Sequence, residues 1–284
     1  MTTAEPESKS DASSILSFDE DDNYVMEIIA ESVAKIVPSV FPETIQLNGK
    51  KSSQFEESHK LNRKSKDQDE SKDKSIEPEE QAYNNKDAKE IGATSKDLDA
   101  TVSIFPVHEM DDDVFEQILD LVDLNLGSYY QKRLGKNWKD EKRDEMEESG
   151  LVYVIYTDAL TKNIVAFTSV KLVAELAAKV LYLYEIQISS QYQSIGVGSK
   201  LISSFHKLAT KLNDLVGDAK YKYSTHFSNE GTSLTVFSDN DRALNWYFNL
   251  GYTFTDDSPR DKLLRNEKVV KPSFYLLTRP LEQK

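Results

Sequence analysis

Two stretches of this chain hold residue types that could do chemistry at a spacing that chemistry needs. One is Gln193-x-x-Gly196-x-Gly198, which follows an apolar run and opens a helical pattern. Glycine lets backbone N–H groups approach an anion closely, and a helix start adds unpaired donors and a partial positive charge. Together these make a cradle for a pyrophosphate; the plainer reading of the same glycines is a loop-to-helix turn. The other is Tyr182-Leu183-Tyr184-Glu185, inside the preceding run. Alternation puts both phenol rings on one face of a strand and Glu185 on the other, so the three converge only where the strand bulges. Burial among tyrosines and apolar side chains disfavours a carboxylate's charge, which makes Glu185 a candidate general base. The rival readings are a carboxylate that only binds a ligand and tyrosines that only pack a core.

These residues need a framework, and the pattern from about residue 100 supplies one. Strands are predicted at 101–105, 151–156, 164–170, 180–188, 233–237, 252–254 and 273–277. Helices are predicted behind Asp111-Asp112-Asp113, over 139–148, over 198–212 and over 240–250, from acidic starts and apolar spacing. The order implies an α/β domain with one mixed central sheet flanked by helices. Upstream, Val25, Ile28, Ile29, Val33 and Ile36 recur at helical spacing, and Pro38 ends that helix. The expected organisation is an acidic disordered tail over 1–20, a helix and apolar anchor over 24–42, a disordered polar linker over 43–99 and a folded domain over 100–280.

Charge and composition narrow the function classes. The first 99 residues carry 23 Asp/Glu against 13 Lys/Arg, most of the chain's net −14. Phosphate backbones need a basic footprint, so nucleic acid is not expected as a direct ligand, whereas a basic partner suits the field. The chain has no cysteine, which removes disulfides, thiolate zinc sites and a cysteine nucleophile. His59, His108, His206 and His226 have no metal-ligand spacing, so no metal is expected. The first 20 residues lack a signal-peptide pattern, and no apolar run approaches the ~18 residues of a membrane span. An intracellular protein without membrane attachment is the expectation.

The Gln193-x-x-Gly196-x-Gly198 element, with Asn240 and Tyr247-x-x-x-Gly251-Tyr252 downstream, resembles the acetyl-CoA motif pair of the GCN5-related N-acetyltransferases (GNAT). Within that superfamily, residues 182–185, Leu234-Thr235-Val236-Phe237-x-x-Asn240, Asp256-Asp257-Ser258-Pro259 and Trp138-Lys139-Asp140-x-Lys142-Arg143-x-Glu145-Met146 resemble the N-alpha-acetyltransferase D (NatD) group. The likeness covers roughly residues 100–280. It implies a GNAT fold with an N-terminal helical extension, acetyl-CoA as cosubstrate, and acetyl transfer to the N-terminal serine amine of histone H4 and the A-type H2 histone. It also implies a monomer found in nucleus and cytoplasm; ribosome association stays open.

The same resemblance assigns roles. Gln187 and Ile188 would offer backbone groups to the pantetheine arm. Gln193, Ser194, Ile195, Gly196, Val197, Gly198, Ser199 and Lys200 would line the pyrophosphate, and Asn240 would contact the coenzyme, with helix capping as its second reading. Tyr247 would stand near the thioester sulfur, or simply pack. Tyr182 and Tyr184 would join Glu185 in handling the acceptor, with Trp138 and Glu175 on the peptide. The group tends to carry an Asp two residues before Glu175, where this chain has Val173. The alternatives are a lysine or polyamine acetyltransferase and, from another class, a non-catalytic acidic histone-binding module.

Overall fold

The segment Val152–Asp158 is apolar on both of its alternating sets of positions, so as a strand it needs cover on both faces. It has that cover: Val152, Val154 and Tyr156 belong to one core, while Leu151, Tyr153 and Ile155 belong to a second. The two cores lie on opposite sides of a single sheet. The computed structural model describes residues 20–45, 100–175 and 178–281.

In chain order the elements are α1 (Glu20–Ile36), β1 (Thr44–Ile45), β2 (Ala100–Pro106), α2 (Asp112–Leu134), α3 (Trp138–Met146), β3 (Val152–Asp158), β4 (Ile164–Glu175), β5 (Ala178–Ile188), α4 (Val197–Asp214), β6 (Gly231–Phe237), α5 (Asp241–Asn249), β7 (Thr253–Phe254), β8 (Lys262–Leu263), β9 (Val269–Val270) and β10 (Phe274–Pro280). The main sheet runs β1-β2-β3-β4-β5-β6-β10-β7, and β8–β9 form a separate short hairpin. This is the mixed α/β sheet with flanking helices and an N-terminal helix that the acetyltransferase resemblance implies.

α1 and α4 cover one face, α2 and α3 the other. Ile29, Val33, Ile36, Phe41 and Ile45 are buried in the main core, and each such side chain contributes roughly 1.5–3 kcal/mol on burial. The N-terminal segment is therefore part of the domain. It begins at Glu20, ahead of the expected residue 24, and β1 pairs antiparallel with β2, so residues 44–45 are strand where a linker was expected. The tail before residue 20 and the linker from 46 to 99 lie outside the described residues. Among the described residues, no helix is long and apolar enough to cross a membrane.

Two irregularities shape the site. β5 and β6 are the parallel neighbours of the sheet and pair only over Leu181–Leu183 and Thr232–Leu234, so beyond Leu183 the sheet splays. At the same level β5 bulges: Ser169 of β4 faces Glu185 and Val170 faces Leu183, which leaves Tyr184 as the extra residue.

Candidate active site

The bulge decides which side chains meet. Leu181 and Leu183, then Ile186 and Ile188, pack toward the α4 core. Tyr182, Tyr184, Glu185 and Gln187 therefore share the α2/α3 side, although Tyr184 and Glu185 are consecutive. The convergence expected of Glu185 and the two tyrosines is met through this bulge. All three line a groove of about 1230 Å³ that opens where β5 and β6 part. The tyrosine rings lie edge to face, centroids 5.3 Å apart. Tyr182 Oη is 2.5 Å from Thr235 Oγ1 across the splay, and Tyr184 donates to Glu148 Oε2 at 2.8 Å. Burial and then the Glu148 carboxylate push the Tyr184 phenol well above the usual tyrosine range, so it stays protonated.

Glu185 does not sit among tyrosines and apolar side chains alone, and this corrects the sequence expectation. Lys142 Nζ of α3 lies 2.6 Å from Glu185 Oε1, and Tyr130 of α2 donates to the same oxygen at 3.3 Å. Gln187 Nε2 donates to Oε2 at 2.6 Å. The Lys142 and Glu185 side chains are 1% and 5% exposed, so this ion pair is buried. Lys142 also reaches Glu145 Oε1 at 2.8 Å and lies over the Tyr130 ring. Burial alone would pull the Lys142 ammonium down, but the carboxylates of Glu185 and Glu145 outweigh it and hold it well above the ordinary lysine range.

Lys142 was missed as a site residue because its helix reads as uniformly charged, and Tyr130 because it comes from a different helix, α2, that meets β5 only in the folded chain. A signal existed: Trp138, Lys142 and Met146 stand four apart and are all buried, so the lysine occupies a core position. Trp138 is not a wall of the groove. It is buried behind Tyr130 and stacks on that ring at 4.9 Å and 9°.

At the other end, Gly196 is the N-cap of α4 with φ +94°, and a Cβ built there would meet nothing within 4 Å. The left-handed conformation calls for glycine, and the space around it is open. Gly198 is different: its nearest would-be Cβ contacts are 3.4 Å to Ile188 and 3.6 Å to Trp246. An alanine would fit, so protein packing does not require that glycine. Gln193, Ser194, Gly196, Gly198 and Ser199 line the groove. Ile195, Val197 and Lys200 do not: Ile195 and Lys200 are exposed, and Val197 is buried in the core.

Of the backbone groups expected to meet the pantetheine arm, the Ile188 carbonyl accepts from Asn125 Nδ2 at 3.1 Å and Gln193 Nε2 at 3.0 Å. Both lone pairs are used. Asn125 also donates to Gln187 Oε1 at 2.9 Å, tying that side chain into the Glu185 network. Asn240 is a helix N-cap, accepting from Ala243 N at 3.2 Å, and also lines the groove. Tyr247 is buried and lines the groove, and burial pushes its phenol well above the tyrosine range. Glu175 ends β4, and its side chain lies outside the described residues.

Arg242 was not anticipated. It donates to Gln193 Oε1 at 3.3 Å and Ser194 Oγ at 3.1 Å, beside the cradle. A cation in the first turn of α5 opposes the helix dipole, which is the sequence signal that an anion belongs nearby. Away from the groove, Glu31, His108 and Glu109 bring ligand-type atoms within 4.8 Å of one another, but none of them lines the groove.

No protein-family model matches the sequence. A curated relative, N-alpha-acetyltransferase 40 of Saccharomyces cerevisiae, is 33% identical over 165 residues, covering 52% of this chain and 54% of its own. The chain thus spans about half the length of that relative. Among solved structures, PH1933 from Pyrococcus horikoshii OT3 covers 64% of this chain and 99% of its own at 16% identity and TM-score 0.40. Arabidopsis thaliana NAA60 in complex with a bisubstrate analogue covers 64% and 100% at 13% identity and TM-score 0.39.

Proposed function

We propose that this chain is an N-alpha-acetyltransferase that moves acetyl from acetyl-CoA to the N-terminal amine of a protein. The observation that carries the reading is the groove itself, with an anion cradle at one end and a buried, hydrogen-bonded carboxylate at the other. The similarity to N-alpha-acetyltransferase 40 supports it. Backbone donors at the start of α4 and Arg242 hold the coenzyme phosphates. The amine nitrogen attacks the thioester carbonyl carbon, forming the C–N bond as the C–S bond breaks. The amine's proton passes to Glu185, directly or through one water. Tyr247, held protonated, donates a hydrogen bond to the departing thiolate sulfur; the thiolate takes its proton from solvent and Glu185 releases its proton to solvent. With no cysteine in the chain, no thioester enzyme intermediate forms on that side chain.

The acceptor in this proposal is a chain beginning Ser-Gly-Arg-Gly, as in histone H4 and the A-type H2 histone. The resemblance of residues 182–185 and 138–146 to the NatD group supports that choice, and so does the net charge of −14, which favours encounter with a basic partner. Incubating the full chain with isotope-labelled acetyl-CoA and a Ser-Gly-Arg-Gly peptide tests it. Label on the α-amine is expected. Label only on lysine of a control peptide reassigns the acceptor, and tight histone binding with no coenzyme binding replaces the enzyme with a binding module.

A further inference from the structure

The proposed transfer gives Glu145 no part, yet this residue lines the groove and its side chain is 44% exposed. Lys142 Nζ holds its Oε1 at 2.8 Å. Among the described residues no other hydrogen bond or ion pair engages the carboxylate, so Oε2 is left to solvent or a ligand. Glu145 stands in the last turn of α3, where the helix dipole disfavours a negative charge, so the helix itself does not call for it. Lys142 does not call for it either, because Glu185 already pairs with that ammonium at 2.6 Å.

The reacting end is short of one cation. The charges acting on Glu145 are those of Lys142, Glu185 and Glu148. Lys142 is shared between Glu185 and Glu145, and Lys171 neutralises Glu148. Three carboxylates thus face two ammoniums, an excess of one negative charge. Glu185 and Glu145 touch the same ammonium and so lie within two hydrogen-bond lengths of each other. Of the roughly four acceptor positions on a carboxylate, Lys142, Tyr130 and Gln187 take three on Glu185. Glu145 therefore has the larger free capacity.

Resting on the acetyl-transfer reading, we propose that Glu145 is the docking carboxylate for the acceptor's α-ammonium: an N-terminus arrives charged, supplies the missing cation at Glu145 and is thereby held beside Glu185. Opposite charges in a partly desolvated groove attract more strongly than in water, and a charge-assisted hydrogen bond fixes the position. The docked ammonium releases one proton to solvent and becomes the neutral nucleophile. Its second proton passes to Glu185 as the C–N bond forms. The product amide carries no charge, so the hold on the acceptor weakens once acetyl has been transferred, and the acetylated chain leaves.

The test uses the full chain saturated with coenzyme A, which leaves the acceptor site open and cannot transfer acetyl. Three peptides are titrated by calorimetry: one beginning Ser-Gly-Arg-Gly, the same peptide with 3-hydroxypropionyl in place of serine so that only the α-amine is missing, and the same peptide with Gln in place of Arg. The parent should bind the first about 10-fold tighter than the des-amino peptide, as a hydrogen bond between charged groups allows. E145Q keeps the shape and loses the charge, so it should bring that ratio to within about twofold of unity and leave the Arg-to-Gln ratio as it was. In turnover with acetyl-CoA, E145Q should raise KM about 10-fold and leave kcat within about threefold; a displaced Glu185 would instead lower kcat. E145D, which retains the charge, should keep part of the preference. An unchanged amine-to-des-amino ratio in E145Q overturns the proposal, and so does a fall confined to the Arg-to-Gln ratio, which reassigns Glu145 to a basic side chain. If E145Q does not fold, the parent decides: its preference for the amine must shrink as salt rises, and a preference that is absent or indifferent to salt overturns the proposal. A parent that transfers acetyl to no peptide overturns the acetyl-transfer reading, whereas transfer with an unchanged ratio in E145Q overturns this proposal alone.

Discussion

At the cradle end of the groove the protein supplies backbone and leaves space, whereas at the Glu185 end it supplies side chains and leaves almost none. Gly196 has open surroundings and Gly198 could hold a methyl group, so internal packing requires glycine at neither position. Glu185, by contrast, is bonded by groups from α2, α3 and β5 itself. The first end is mostly local, made by one loop and one helix start with Arg242 of α5 beside them. The second is tertiary, made by three elements that meet only in the folded chain. Under the proposed acetyl transfer, coenzyme binding and reaction with the amine should therefore be separable by mutation.

The strongest test of that separation is E185Q. Loss of a general base typically costs 10²–10⁴-fold in rate, so turnover should fall about 100-fold or more. Acetyl-CoA affinity by calorimetry should stay within about twofold. G198A should do the reverse and with opposite signs in two readouts: coenzyme binding weakens about 10-fold, while the fold gains about 0.5–1 kcal/mol because alanine replaces glycine in a helix. Thermal melting with and without coenzyme checks both. R242A should weaken the coenzyme by a smaller factor, about 3–5-fold, and the difference should shrink as salt rises.

The smallest effect concerns what holds α2 over the splay. Lys132 and Arg133 grip Asp239 just after β6, and Arg133 lies over the Phe237 ring at 4.3 Å. Burial opposes the Asp239 charge, but hydrogen bonds from Lys132 and Arg133 and the nearby cations outweigh it and bring the carboxyl down to about 2. A depressed folded value means the stabilisation is present above the ordinary aspartate range, near 3.9, and is lost as pH falls toward 2. D239N should therefore cost about 1 kcal/mol or less at neutral pH, as partly exposed pairs do. The parent and variant melting curves should converge near pH 2. Neither end of the groove should change its chemistry.

What the sequence revealed follows the same division. The cradle, the Asn240 cap and the strands of the main sheet rest on short-range rules of glycine, capping and alternation, and all are present. The need for a bulge near Glu185 was also legible, because strict alternation could not bring Glu185 to the tyrosines. Lys142, Tyr130 and Asn125 were not legible as partners of β5, since no local rule says which residue of one helix will face which strand. Trp138 was placed on the peptide by the resemblance alone, but its ring is covered by Tyr130. The β8–β9 hairpin escaped notice because its two-residue strands are exposed and flanked by charges.

Ile45 and Ala100 are register partners in neighbouring strands, so the two ends between which residues 46–99 connect stand side by side at the sheet's edge. Closing a longer excursion between fixed endpoints costs only about 0.6 kcal/mol per doubling of length. Length there is nearly neutral for folding. Evolution, or an engineer, can therefore change the length of that connection at little entropic cost to the domain.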